Sequence, residues 1–116
     1  MRLGVPKEPD NETRVAIVHS IMKKLTKAGF EVYVEQGAGV RANYNDSQYE
    51  DAGAKIVSRK EALSCPNIIC INFPGTDGIS EKSNVACVAD PFRNPEDVKQ
   101  CLSANITLMS MAVSYT

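Results

Sequence analysis

Short apolar runs of strand length alternate along this chain with segments whose apolar residues recur at helical spacing. Arg2 to Val5 (RLGV) predicts a first strand, stopped by Pro6, and a charged stretch from Lys7 to Arg14 follows with the turn formers Pro9, Asp10 and Asn11. Ile21, Met22, Leu25 and Ala28 then fall on one helical face, with Lys23, Lys24 and Lys27 opposite. Gly29 stands where a helix ends in a left-handed residue. Phe30 to Glu35 alternates apolar and polar residues, which predicts a second strand. After the QGAGV turn, Asp46 or Ser47 is placed to cap a short helix through Ala52, ended at Gly53.

The same alternation continues to the end. Lys55 to Val57 predicts a third strand, and Ser58 caps a helix carrying Glu61, Ala62 and Leu63. Asn67 to Phe73 and Val85 to Ala89 predict a fourth and a fifth strand, stopped by Pro74 and by Asp90-Pro91. Asn94 and Pro95 open a helix bearing Val98 and Leu102, with Glu96 and Asp97 in its first turn, where the helix dipole favours acids. Ile106 to Met111 predicts a sixth strand. Strand and helix in regular alternation with short connections imply a parallel sheet covered on both faces. The expected fold is therefore α/β: a flavodoxin-like or Rossmann-like doubly wound sheet in three αβα layers, a single domain over residues 1–116.

Composition narrows the function classes. With 13 basic and 14 acidic residues the net charge is -1, so no basic footprint for nucleic acid or an acidic membrane is expected. No apolar run reaches the roughly 18 residues that span a bilayer, and no secretory signal is visible, so a cytoplasmic location without membrane insertion is expected. Of the four cysteines, Cys65, Cys70, Cys87 and Cys101, two lie inside apolar strand patterns, and no C-x-x-C pair occurs. They are expected to be reduced structural thiols, with neither metal nor redox chemistry.

Four blocks, RLGVPKEPDNETRVA, KLTKAGFEVYVEQGAG, YEDAGAKIV and ADPFRNPEDV, occur in an order and spacing that resemble the N-terminal domain of alanine dehydrogenases and NAD(P) transhydrogenases, from Met1 to about Met111. The details are closer to the transhydrogenase alpha subunit. Alanine dehydrogenases hold the keto acid with an arginine, a lysine and a histidine. Arg14 matches the arginine, whereas Cys70 and Asp90 stand at the other two positions. The resemblance implies part of an enzyme that moves hydride between NAD(H) and NADP(H) with coupled proton translocation. The NAD-binding Rossmann domain is not among these blocks, so this chain alone is expected to bind no cofactor and to be inactive. The partners implied are other transhydrogenase subunits or an NAD-binding chain, with pairing of two copies as a further option, peripheral to a membrane complex. Other readings are a non-catalytic scaffold and a degenerate dehydrogenase acting on another 2-oxo acid.

Arg14 and Lys7 are the candidate anion- or substrate-binding residues, since a guanidinium or ammonium can hold a carboxylate or phosphate. The alternative for Arg14 is an ion pair with Glu8 or Glu12, and for Lys7 a solvated surface position. His19 reads as a surface or capping residue, and Asp90 as a turn former. Ser110 and Ser114 lack the context of a serine nucleophile. Tyr44 and Tyr49 fit either a core edge or an interface. The Gly37–Gly39 turn lacks the third glycine of a dinucleotide fingerprint and reads as structural.

Overall fold

The first strand sits at the centre of the sheet because its residues suit a strand covered on both faces. In β1 (Arg2–Val5) Val5 is fully buried on one face, and Gly4 lets a helix touch the backbone on the other. The computed structural model describes residues 2–9, 12, 19–88 and 94–110; for 19–21, 23 and 110 only the backbone is described. β1 pairs in parallel with β2 (Glu31–Glu35) on one side and with β4 (Asn67–Cys70) on the other. β3 (Lys55–Val57), β5 (Asn84–Cys87) and β6 (Thr107–Ser110) complete six parallel strands in the order β3-β2-β1-β4-β5-β6. Of the two doubly wound orders this is the Rossmann one, with its reversal between β1 and β4.

Helices cover the sheet on both sides. α1 (His19–Lys27) packs on β2 and α2 (Asp46–Asp51) on β3, over a core of Val5, Met22, Val32, Val34 and Tyr49. α3 (Arg59–Leu63) packs on β1 and β2, and α4 (Pro95–Ser103) on β6. The second core lies there and includes Leu63, Ile68, Cys70, Val85, Cys87 and Cys101. A Cβ at Gly4 would overlap the Ala62 carbonyl of α3, so glycine sets how closely that helix approaches the sheet. All four cysteines are buried and unbridged, as the apolar context of two of them predicted.

Several boundaries and contacts differ from the sequence reading. Asn45, not Asp46 or Ser47, caps α2. Its Oδ1 accepts from the Gln48 N–H at 2.9 Å, while Gln48 Oε1 accepts from the Asn45 N–H at 2.9 Å. Asp46 is drawn away to accept the Gly37 N–H at 2.9 Å, which ties the glycine turn to the helix start. β4 ends at Cys70 instead of Phe73, because the next two N–H groups turn to a side chain described below. β2, β5 and β6 are also shorter than predicted, and Phe30 and Ile106 precede their strands. On α4, Cys101 is the buried residue, whereas Leu102 is 77% exposed. The cause is the short return to β6: the Ile106 N–H reaches the Cys101 carbonyl at 2.9 Å and turns that face of the helix inward. Ser58 and Asn94 cap α3 and α4 as predicted.

Tyr49 belongs to the core, fully buried, with the half-buried Tyr44 ring tilted against it at 6.2 Å. Burial, with Tyr44 and Asp46 adding to it, pushes the Tyr49 hydroxyl up to about 12. An unfolded tyrosine titrates near 10. The stabilisation is therefore complete below about pH 10 and is lost as pH rises toward 12. Urea unfolding between about pH 9 and about pH 11 is expected to show a loss on the order of 1 kcal/mol that Tyr49→Phe removes. Gly4→Ala is expected to cost about 3 kcal/mol in the same assay, because backbone rather than a mobile side chain blocks the added methyl.

Candidate functional site

At the carboxyl end of the sheet β1 and β4 diverge, and their exits build a cleft. Pro6 has no N–H to extend the β1 ladder, so Lys7–Pro9 cross over the strand ends. On β4 the Cys70 carbonyl accepts the last ladder bond, from the Val88 N–H at 2.9 Å. The following N–H groups point into the gap, where they meet the carboxylate of Glu8, only 7% exposed. Glu8 Oε2 accepts from the Ile71 N–H at 2.8 Å, and Oε1 accepts from the Asn72 N–H at 2.9 Å and Asn72 Nδ2 at 3.3 Å. Asn72 Nδ2 also donates to Glu12 Oε1 at 3.0 Å, so one amide holds two carboxylates of the connection.

A second carboxylate holds the other flank. Glu35 Oε1, at the end of β2, accepts the Lys7 N–H at 2.9 Å and Arg59 Nη1 at 3.0 Å. Arg59 Nη1 also donates to the Lys7 carbonyl at 3.3 Å, and Arg41 Nη1 donates to the Pro9 carbonyl at 3.3 Å. The cleft beside this connection has a volume of about 440 Å³ and is lined by Lys7, Glu8, Glu35, Arg59, Asn72 and Phe73, among others. Arg59 and Glu35 neutralise one another, and backbone and amide donors satisfy Glu8. The Lys7 ammonium, near the Gly37 turn, makes no hydrogen bond or ion pair among the described residues. It is the cation on this rim that an incoming anion can engage without breaking a described contact.

Doubly wound sheets usually take ligands at this reversal of strand order, with backbone N–H groups facing an anion. Here the Glu8 carboxylate fills that place from within the chain. The Gly37–Gly39 turn follows β2 and cradles no phosphate. A Cβ on Gly39 would press on the Tyr49 ring and the Tyr44 carbonyl, so that glycine serves packing. Among the described residues no group of three or more His, Cys, Asp and Glu side chains could hold a metal ion. No helix among them is long and apolar enough to cross a membrane.

Of the candidates read from the sequence, Lys7 lies on the cleft rim, and Arg14, Asp90 and Ser114 lie outside the described residues. His19 begins α1 and Ser110 ends β6; both side chains lie outside the described residues. Cys70 is fully buried and points into the second core, toward Cys87. Sequence reasoning considered Glu8 only as a partner for Arg14 and passed over Asn72 and the Glu35–Arg59 pair. Glu8 and Asn72 are 64 residues apart, and Glu35 and Arg59 are 24 apart, so no local pattern marks either contact.

An open parallel sheet of this order, with a filled strand reversal and a flanking cleft, defines a Rossmann-like domain that lacks a dinucleotide cradle of its own among the described residues. The chain belongs to the family described as alanine dehydrogenase/PNT, N-terminal domain, whose model matches residues 4–113. It is 35% identical over 115 residues to the NAD(P) transhydrogenase subunit alpha of Haemophilus influenzae, covering 96% of this chain and 22% of that protein. In Rhodospirillum rubrum the NAD(P) transhydrogenase subunit alpha comes in parts, and this chain is 46% identical over 122 residues to the first, covering 96% of this chain and 32% of that one. The crystal structure of transhydrogenase from Sinorhizobium meliloti superposes with a TM-score of 0.89 at 31% identity, covering 96% of this chain and 35% of that one. The chain thus spans between 22% and 35% of the length of these proteins.

Glu8→Ala leaves the buried Ile71 N–H without an acceptor and is expected to cost about 2–4 kcal/mol in urea unfolding. Acetate in the buffer is expected to return some of that loss to the variant and to leave the parent chain unchanged, because a small carboxylate can re-enter the vacated cradle. An unchanged midpoint for Glu8→Ala would show that the carboxylate does not hold the two strands.

Proposed function

We propose that this chain is the leading domain of an NAD(P) transhydrogenase alpha subunit, forming one wall of its NAD(H) cleft and inactive by itself. The observation that carries the reading is the occupied strand reversal: Glu8 takes the backbone donors that a bound phosphate would need. A dinucleotide would therefore be held by another domain or chain and would meet this one only at the cleft rim. There Lys7 offers its free ammonium to an anionic group, and Arg14 is proposed as a second anion contact. NAD(H), together with NADP(H) elsewhere in the complete enzyme, would supply the hydride chemistry. The partners are the remaining transhydrogenase subunits and domains, which supports a cytoplasmic location beside a membrane complex. The matches to transhydrogenase alpha subunits support this reading.

Amino-acid dehydrogenation is disfavoured by Cys70. The side chain at the expected lysine position is uncharged and buried away from the cleft. A scaffold role is favoured by one feature, the edge at α4 and β6, where Leu102 is 77% and Met109 43% exposed. Strand edges with apolar surroundings recruit neighbours.

Titration with NADH, followed by its fluorescence, separates these readings. The chain alone is expected to show no saturable binding at micromolar concentration, and binding is expected once an NAD-binding transhydrogenase domain is added. Lys7→Ala is expected to weaken binding to that assembly by up to about tenfold, with the deficit shrinking as salt is raised. Saturable binding by the chain alone would overturn the proposal, and absence of binding with the partner domain would leave the scaffold role.

A further inference from the structure

Cys70 and Cys87 end β4 and β5 and are paired in register on neighbouring parallel strands. Both are fully buried, and their sulfurs face each other at 3.4 Å, the one thiol–thiol contact among the described residues. Adjacent strands run about 4.7–4.9 Å apart, inside the roughly 4.4–6.8 Å Cα separation that a disulfide spans. Side-chain rotation that brings the sulfurs closer by about 1.4 Å reaches bonding distance without parting the strands. The other two thiols are placed differently. Cys65 Sγ contacts the Glu61 carbonyl at 3.5 Å beneath Gly4, and Cys101 comes from α4 on the outer side of the same core.

We propose that Cys70 and Cys87 are an oxidation site, closing to an intrachain disulfide when the folded chain meets a hydroperoxide. One sulfur attacks the peroxide, the O–O bond breaks, and a sulfenic acid and one water form. The second sulfur attacks the sulfenic sulfur, the S–S bond forms, and the S–O bond breaks to release a second water. The two thiol protons end in those waters; the thiols lose two electrons and the peroxide gains them.

The surroundings set the rate and the consequence. The Cys87 contact and burial push the Cys70 thiol up, so the resting pair stays protonated and reacts slowly. Access runs through local opening of α4, whose Cys101 and Leu102 lie between this core and solvent. Ile71 and Asn72, whose N–H groups hold Glu8, follow Cys70 directly, so the bridge would fasten the β4 exit beside the candidate cleft.

The experiment is hydrogen peroxide treatment of the native chain, alkylation of remaining thiols under denaturing conditions, and peptide mapping by mass spectrometry. The expected product is a monomer lighter by about 2 Da, with Cys70 joined to Cys87, Cys65 and Cys101 still alkylated, and full reversal by dithiothreitol. Cys101→Ser is expected to keep the bridge and Cys87→Ser to abolish it. The same treatment in denaturing urea is expected to scatter the pairing, because the strand register is lost. A native chain that stays reduced, a Cys87–Cys101 or interchain bridge, sulfinic acid without a bridge, or the same Cys70–Cys87 yield in urea would each overturn the proposal.

Discussion

The Glu8 carboxylate is the interaction on which the cleft end of this domain depends. Reversal of the strand order opens a gap between β1 and β4, and the first backbone donors beyond the β4 ladder face into it. Left empty, those donors would have to be met by water or by a ligand, since buried N–H groups are rarely unpaired. Glu8 meets them with a charge-assisted pair of bonds and binds the loop after β1 to the loop after β4. Asn72 extends the strap to Glu12 through the second hydrogen of the same amide. The connection that carries the family's most recognisable residues is thus anchored to the sheet at its first turn.

Glu35 and Arg59 complete the support from the other flank. Arg59 is half exposed, and an isolated pair of this kind contributes at most about 1 kcal/mol. Its importance is geometric, because both partners also bond the Lys7 backbone. The backbone of Lys7 is held on both its N–H and its carbonyl while its ammonium is left for the cleft. That combination of a fixed main chain and a free charged tip suits a wall that presents one cation to a ligand held elsewhere.

The two sheet edges are built differently. β3 carries Lys55, whose ammonium lies 5.5 Å from the centroid of the Tyr33 ring, and a charged edge of this type discourages strand addition. β6 (TLMS) has no charged residue and lies beside the exposed Leu102. The core under α4 is also the one that holds Cys70, Cys87 and Cys101, so small polarizable side chains fill the half of the domain whose surface is most apolar.

The succession of strands and helices was legible because each rests on local physics: the alternation of FEVYVE, the Asn94-Pro95 start and the Ser58 cap all act within a few residues. The family was legible for a related reason, since its blocks recur in order along the chain. Strand ends were less so. The fourth strand runs on as an apolar pattern to Phe73, yet stops at Cys70, because a carboxylate from the first loop takes the next donors. The inward face of α4 was misread for the same kind of reason: the return to β6 turned Cys101 inward, and periodicity alone favoured Leu102. By itself the sequence determined the parallel α/β class, the buried thiols and the structural nature of the Gly37–Gly39 turn, all properties of neighbouring residues. Only the tertiary structure decided the Rossmann order of the strands, the Glu8–Asn72 strap and the Cys70–Cys87 contact. Those depend on which strands lie side by side, and that pairing is set by the packing of the whole sheet.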